Sequence, residues 1–420
     1  MRRIYMDANA TTPLLPEVFD AMRPFFLEHY GNASSIHQQG QFARAAVDHA
    51  RDSIARLLHC RTSEIVFTSG GTESDNLAIF GILNASENPP VHLITSSIEH
   101  HAVLHAAESL AARGAGPLSP GIQVTFLPCT PQGLIEPAAL LAAIRPNTKL
   151  VSIMFANNET GVIQPIAELA AIAHAAGALF HTDAVQAAGK LPIDLSPKGP
   201  LKDVDLLTLS GHKIYAPKGI GVLFVRRSVR LAPMFHGGTH ERQRRAGTEN
   251  VTSIVAFGKA AELAGTWLAA TDLGAPGPVP GTRVSIDSPT QLTALRDRLE
   301  EGLLSQVEEC GVNGAGARRV CNTTNLYFDH VEAEALVIAL DLKGLSVSGG
   351  SACQSGATEP SHVLTAMGLS PARARGSIRF SLSRLTTEDE IDRALELIPA
   401  AIARLRDLSP TWHKPVAIEA

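Results

Sequence analysis

The runs Ala178-Leu179-Phe180-His181-Thr182-Asp183 and Val204-Asp205-Leu206-Leu207-Thr208-Leu209-Ser210-Gly211-His212-Lys213 decide the fold. Each is short, largely apolar, and turns polar at its carboxyl end. Such runs read as strands buried on both faces, which is how a helix-covered parallel sheet is written in sequence. The pattern recurs at Glu64-Ile65-Val66-Phe67-Thr68, His92-Leu93-Ile94-Thr95 and Leu150-Val151-Ser152-Ile153-Met154-Phe155, with alanine-rich helical stretches such as 165–177 between. Ligands of such sheets bind outside the carboxyl ends of the strands. The residues just after each strand are therefore the candidates for chemistry.

Those residues are unusually polar. Strand 64–68 leads into Ser69-Gly70-Gly71-Thr72, two glycines and a hydroxyl at a helix start. Free N–H groups and the positive end of the helix dipole make this a phosphate cup, although an ordinary capped helix start has the same look. Asp183 and Lys213 end two sequential strands and face one cleft. A salt bridge is the plain reading. A pyridoxal 5'-phosphate (PLP) site is the sharper one, because that cofactor needs a lysine, a carboxylate on its ring nitrogen and a phosphate cup. Ser210 and His212 stand beside Lys213 as further phosphate donors. Strand 92–97 finishes at His100, placed to stack on a ring and move protons. His100, His101 and His105 also admit a metal reading, but no carboxylate or cysteine stands at ligand spacing, so no resident metal is expected. Strand 150–155 finishes at Asn157-Asn158-Glu159-Thr160-Gly161, where an amide can reach a phenolic oxygen or simply make a turn.

The chain has 420 residues, 45% hydrophobic and 18% charged, with a net charge of −5. That suits large packed cores rather than a disordered polymer. It lacks the basic excess of a nucleic-acid binder, and no direct nucleic-acid contact is expected. No apolar run reaches the roughly 18 residues that span a bilayer, and Met1 to Asp7 has no apolar signal region. Cys60, Cys129, Cys310, Cys321 and Cys353 are odd in number and widely spaced, which fits a reducing cytoplasm. Residues 270–290 are rich in proline and glycine and read as a linker or insertion. Beyond them, helices at 291–308, 332–342 and 387–407 and strands at 324–328 and 377–381 suggest a smaller α+β domain. Cys353 lies in a Gly/Ser-rich loop, the setting of a nucleophilic thiol rather than of core packing. Arg379, in a strand, has a planar fork suited to a substrate carboxylate, although strand arginines often serve structural ion pairs.

With these residues in view, the chain resembles the cysteine desulfurases of the NifS/IscS type, class V aminotransferase-like PLP enzymes, and is closer to their NifS-like branch. The stretches that carry the resemblance are FTSGGTESDN (67–76), EHHAVL (99–104), ANNETGVIQPI (156–166), FHTDAVQAAGKLPIDL (180–195), SGHKIYAPKGIG (210–221), HGGTHERQRRAGTEN (236–250), GGSACQSGATEPSHVL (349–364) and SIRFSLSR (377–384). The resemblance implies PLP fold type I: a mostly parallel seven-stranded sheet between helices in a large domain (15–262), and a small domain (1–14 and 263–420) carrying the Cys353 loop. It implies that Lys213 holds the cofactor as a Schiff base and that Asp183 holds the pyridine nitrogen. Gln186 and Asn158 would hold the phenolic oxygen. Gly71, Thr72, Ser210 and His212 would hold the phosphate, with Thr248 reaching the phosphate of a partner subunit in a homodimer. His100 would stack on the ring. Asn158 and Arg379 would bind the carboxylate of L-cysteine. Cys353 would carry sulfur as a persulfide to an iron–sulfur scaffold or a tRNA-thiolation carrier, where it can transiently ligate a cluster. A selenocysteine lyase or another class V aminotransferase-type enzyme is the alternative.

Overall fold

The computed structural model describes residues 3–86, 90–114, 121–270, 286–349 and 359–412. Its strands, in chain order, are β1 (Ile4–Tyr5), β2 (Ile65–Thr68), β3 (Val91–Ser96), β4 (Ile122–Leu127), β5 (Thr148–Ser152), β6 (Leu179–Asp183), β7 (Leu206–Ser210), β8 (Gly221–Val225), β9 (Cys310–Val312), β10 (Thr323–Phe328), β11 (Leu345–Ser346), β12 (Ser348–Gly349) and β13 (Ser377–Ser381). Seven of them form one sheet in the order β2-β8-β7-β6-β5-β3-β4. β7, β6, β5, β3 and β4 run parallel. β8 is antiparallel to both neighbours, β2 and β7.

The sheet is buried on both faces because its strands alternate apolar residues between two layers. Ile65, Phe67, Val151, Leu207, Val222 and Phe224 point into one core. Val66, Leu150, Leu206, Leu223 and Val225 point into the other. The first layer is closed by helices Gln38–Leu57 and Val251–Ala269, the second by helices Gly71–Asn84 and His101–Gly114. Each Leu or Phe buried this completely contributes about 1.5–3 kcal/mol.

Two strands of this sheet escaped the periodicity reading. β4 is a half-exposed edge strand with polar residues interspersed, so it lacks a continuous apolar run. β8 follows β7 through a short turn segment, too short for a helical crossover, and so must return antiparallel. The apolar run 150–155 also leaves the regular ladder early, at Ser152. Its continuation stays beside β6, since Ile153 and Phe155 donate their N–H groups to His181 O (3.1 Å) and Asp183 O (2.8 Å).

The second part of the structure is a four-stranded antiparallel sheet in the order β12-β13-β10-β9. β1 pairs in parallel with β11, and Ile4 and Met6 join a core with Leu299, Leu326, Phe328, Ile378, Phe380 and Ile398. The helix Glu388–Asp407 starts from a Thr387/Glu390 capping box, which satisfies two orphan donors at once. Among the described residues, no helix is long and apolar enough to cross a membrane.

Candidate active site

The carboxyl ends of β6 and β7, the start of helix Gly71–Asn84, the segment after β3 and the loop after β5 converge on one cavity of about 360 Å³. Strand β13 closes it through Arg379. The size is at the lower end of the range for small-molecule sites.

One end is built for an anion. Helix Gly71–Asn84 begins at Gly70, which supplies no side-chain cap, so its first N–H groups are left for a ligand. The backbone runs close to its neighbours here. A Cβ at Gly221 would lie 2.5 Å from the Gly70 carbonyl carbon, and one at Gly71 would lie 3.2 Å from Val185 Cγ2. Thr72, Ser210 and His212 line the same end. Burial, helped by Lys213, pulls His212 down to about 4.

The floor holds Asp183 and Lys213. The β6–β7 pairing places these two strand ends side by side. Asp183 is buried and accepts from the Val185 N–H at 2.9 Å. Burial raises its pKa to about 6, against the opposing effect of the Lys213 charge. Behind it, burial and the Asp183 charge push Asp75 well up. His181 sits between Ser152 Oγ (2.8 Å) and Thr208 Oγ1 (3.0 Å), and burial pulls it down to about 3. Lys213 Nζ donates to the backbone oxygens of Asn9 (2.5 Å) and Ala10 (2.9 Å). Gln186 Nε2 donates to the same Asn9 oxygen at 3.1 Å. On the opposite wall His100 is pulled down to about 4, by burial first and then by Lys213, so its imidazole is neutral at pH 7.

The substrate side is formed by β13 and the loop after β5. Arg379 is 2% exposed. It donates from Nη2 to Asp7 Oδ1 at 2.7 Å and from Nη1 to Asn158 O at 3.1 Å. Glu159, next to Asn158, accepts from Ser361 Oγ at 2.6 Å, and burial lifts its pKa to about 7.

The chain matches the aminotransferase class-V family over residues 4–273 and 285–394. It is 46% identical over 413 residues to "Cysteine desulfurase IscS" of Methanosarcina thermophila, covering 98% of this chain and 95% of that one. It is 47% identical over 410 residues to "Cysteine desulfurase 2" of Trichormus variabilis, covering 98% and 96%. The chain belongs to the cysteine desulfurases of the aminotransferase class-V family. The fold of this desulfurase agrees with solved relatives. A "NIFS-LIKE PROTEIN" superposes with a TM-score of 0.84 at 32% identity, covering 96% of this chain and all of the other. "SspA in complex with cysteine" gives 0.74 at 35% identity, covering 91% and 100%.

Desulfurases of this family depend on PLP, and the cavity of this one fits that cofactor. Three wall atoms are buried without a hydrogen-bond partner, Asp75 Oδ1, Asn158 Oδ1 and Arg379 Nε, although His181 Nε2 lies 3.6 Å from Asp75 Oδ1. Native proteins rarely strand such groups, and Arg379 Nε is a donor that a substrate carboxylate would satisfy. The donor set matches too: helix N–H groups for a phosphate, a carboxylate for a ring nitrogen and an amine for an aldehyde.

The sequence-derived residues Gly71, Thr72, His100, Asn158, Asp183, Gln186, Ser210, His212, Lys213 and Arg379 all line the cavity of this desulfurase. Thr248 does not; it is exposed, ahead of helix Val251–Ala269. Cys353 lies outside the described residues. Sequence reasoning missed Asn9, Asp75, Glu159 and His362, which also line the cavity. Asp75 and Glu159 stood within quoted motifs and were detectable as acids beside a proposed phosphate cup and amide. Asn9 gave no chemical signal, because its backbone oxygen is what engages Lys213. Among the described residues, no group of three or more His, Cys, Asp or Glu is arranged to hold a metal ion.

Proposed function

We propose that the protein converts L-cysteine to L-alanine and passes the sulfur to Cys353 as a persulfide. The observation that carries this reading is the meeting of Asp183, Lys213, the glycine-lined helix start and Arg379 in one cavity. Bound PLP supplies an electron sink for the charge left when a substrate proton is removed. Lys213 is its covalent anchor and, once released, the base that takes the proton from the substrate Cα. Asp183 holds the ring nitrogen, and Gln186 and Asn158 hold the phenolic oxygen. Gly71, Thr72, Ser210 and His212 hold the phosphate. His100 covers the ring and, being neutral, can accept or return a proton. Arg379 and Asn158 orient the substrate carboxylate. The Cys353 thiolate attacks the substrate sulfur. An S–S bond forms, the Cβ–S bond breaks with its electron pair going to Cβ, and protonation there leads to alanine.

The working unit is a homodimer in which Thr248 reaches the phosphate bound by the second copy. Exposed Phe26, Leu27, Tyr30 and Ile36, on the segment before helix Gln38–Leu57, support such an interface. The persulfide goes to an acceptor protein, an iron–sulfur scaffold or a thiolation carrier, in the cytoplasm.

Incubation with L-cysteine should yield alanine and a sulfur adduct on Cys353, read by mass spectrometry. Cys353→Ala should keep the yellow cofactor and release no sulfide in the presence of a thiol. Undiminished sulfide release from that variant rejects the role of Cys353.

A further inference from the structure

Lys190 is a second amine behind the cavity floor that the proposed reaction leaves unused. Its Nζ donates to Gln186 Oε1 at 2.7 Å and to Asn9 Oδ1 at 3.3 Å. Both acceptors belong to cavity-lining residues. The other groups acting on Lys190 are the Cys321 thiol and the repelling cations Lys213 and Arg379. The two hydrogen bonds to amide oxygens are thus what the buried amine makes in place of an ordinary carboxylate pair.

The consequence is chemical. An amide has an oxygen end that only accepts and a nitrogen end that only donates. Lys190 offers hydrogens, so the oxygens of both amides must turn toward it. The nitrogen ends then face the other way. Asn9 Nδ2 donates to Asn158 O (3.1 Å) and Thr323 Oγ1 (2.9 Å), and Gln186 Nε2 donates to Asn9 O (3.1 Å). Gln186 Nε2 carries two hydrogens and that contact uses one. Burial pulls Lys190 down to about 7. Two hydrogens suffice for its two bonds, so the arrangement survives loss of the third proton.

We propose that Lys190 is a positioning residue: it locks the Gln186 amide with its donor end toward the cavity, and so fixes the hydrogen bond that Gln186 gives to the cofactor's phenolic oxygen. This rests on the reading of Gln186 given above. A donor held against that oxygen stabilises its negative charge. Without the donor, the oxygen holds more tightly the proton it shares with the Lys213 nitrogen, and that proton persists to higher pH.

The test is a spectrophotometric pH titration of the yellow PLP-loaded protein, with melting temperature and cofactor content measured alongside. Lys190→Met should raise the titration midpoint by about one pH unit, a tenfold change in the proton equilibrium, whereas Lys190→Arg, which keeps donors, should stay near wild type. Gln186→Ala should shift the midpoint in the same direction, and the double variant should shift it no further than Gln186→Ala alone. If Gln186→Ala leaves the midpoint unchanged, the reading of Gln186 fails and the inference falls with it. If Gln186→Ala shifts the midpoint but Lys190→Met does not, only the role of Lys190 is overturned. Should Lys190→Met not fold, Lys190→Gln, with one donor group for two acceptors, replaces it; an intermediate shift supports the proposal and a wild-type midpoint overturns it.

Discussion

The four-stranded sheet and the cavity both bury polar side chains, and they finish them differently. In the sheet, Asn313 Nδ2 donates to Asn325 Oδ1 (2.8 Å) and Ser377 Oγ (3.0 Å). Ser377 Oγ passes its own hydrogen to Arg373 O (2.7 Å), and Asn325 Nδ2 donates to Glu159 O (3.1 Å). Each of these side chains finds a protein partner. In the cavity, Asp75 Oδ1, Asn158 Oδ1 and Arg379 Nε are also buried but have no hydrogen-bond partner. Burying a polar group without a hydrogen bond costs about 1–3 kcal/mol. A protein tolerates that where a ligand supplies the missing bond. The satisfied network holds the fold together; the cavity leaves atoms that a ligand can satisfy.

That contrast can be broken, starting where the effect is largest. Lys213→Ala removes the proposed anchor and base from the cavity and should cut kcat by about 10³-fold or more, in line with the 10²–10⁴ of a single general base plus loss of the covalent link. Alanine production at the wild-type rate contradicts it. Arg379→Lys keeps the charge but loses the fork, and should lower kcat/KM for L-cysteine by about 10–100-fold, mainly through KM. A change confined to kcat would place Arg379 outside carboxylate binding. Asn313→Ala breaks the satisfied network instead. It should destabilise by about 1–3 kcal/mol in chemical denaturation while leaving KM within about twofold; the reverse pattern would erase the distinction between the two regions.

The smallest effect concerns Glu99, which is buried beside His100. Ser96 and the Met154 N–H hold Oε1 (3.0 Å for the latter), but Oε2 has no partner. Burial lifts its pKa from 4.5 to about 8. The folded chain therefore keeps a proton that the unfolded chain gives up. This group's contribution to stability falls as pH rises from about 4.5 toward 8. Glu99→Gln is neutral throughout, so its melting temperature relative to wild type should rise by about 2–4 °C between pH 5 and pH 8. A constant difference across that range contradicts the assignment.

Five strands of the large sheet and the polar residues at their carboxyl ends were legible from periodicity. β6 and β7 are apolar runs, and the polar residue at each carboxyl end, Asp183 or the Ser210–Lys213 turn, had to fall at one edge of the sheet. Arg379 was visible as a charge inside an apolar strand. β8 was missed, although the short segment after β7 already dictates an antiparallel return. Asn9 was hidden for another reason. It engages Lys213 and Gln186 through its main-chain oxygen, and its side chain matters through the partners Lys190, Asn322 and Thr323, brought from distant parts of the chain. Motif spacing carries no information about such contacts.

Two half-buried amines, Lys213 and Lys190, stand near the cavity and have different proposed roles. Borohydride reduction of the yellow protein, followed by proteolysis and mass spectrometry, separates them in one experiment. A pyridoxyl-phosphate adduct on the peptide containing Lys213, with Lys190 unmodified, is the predicted result. An adduct on Lys190, or none on Lys213 in protein that retains its colour, would contradict the account.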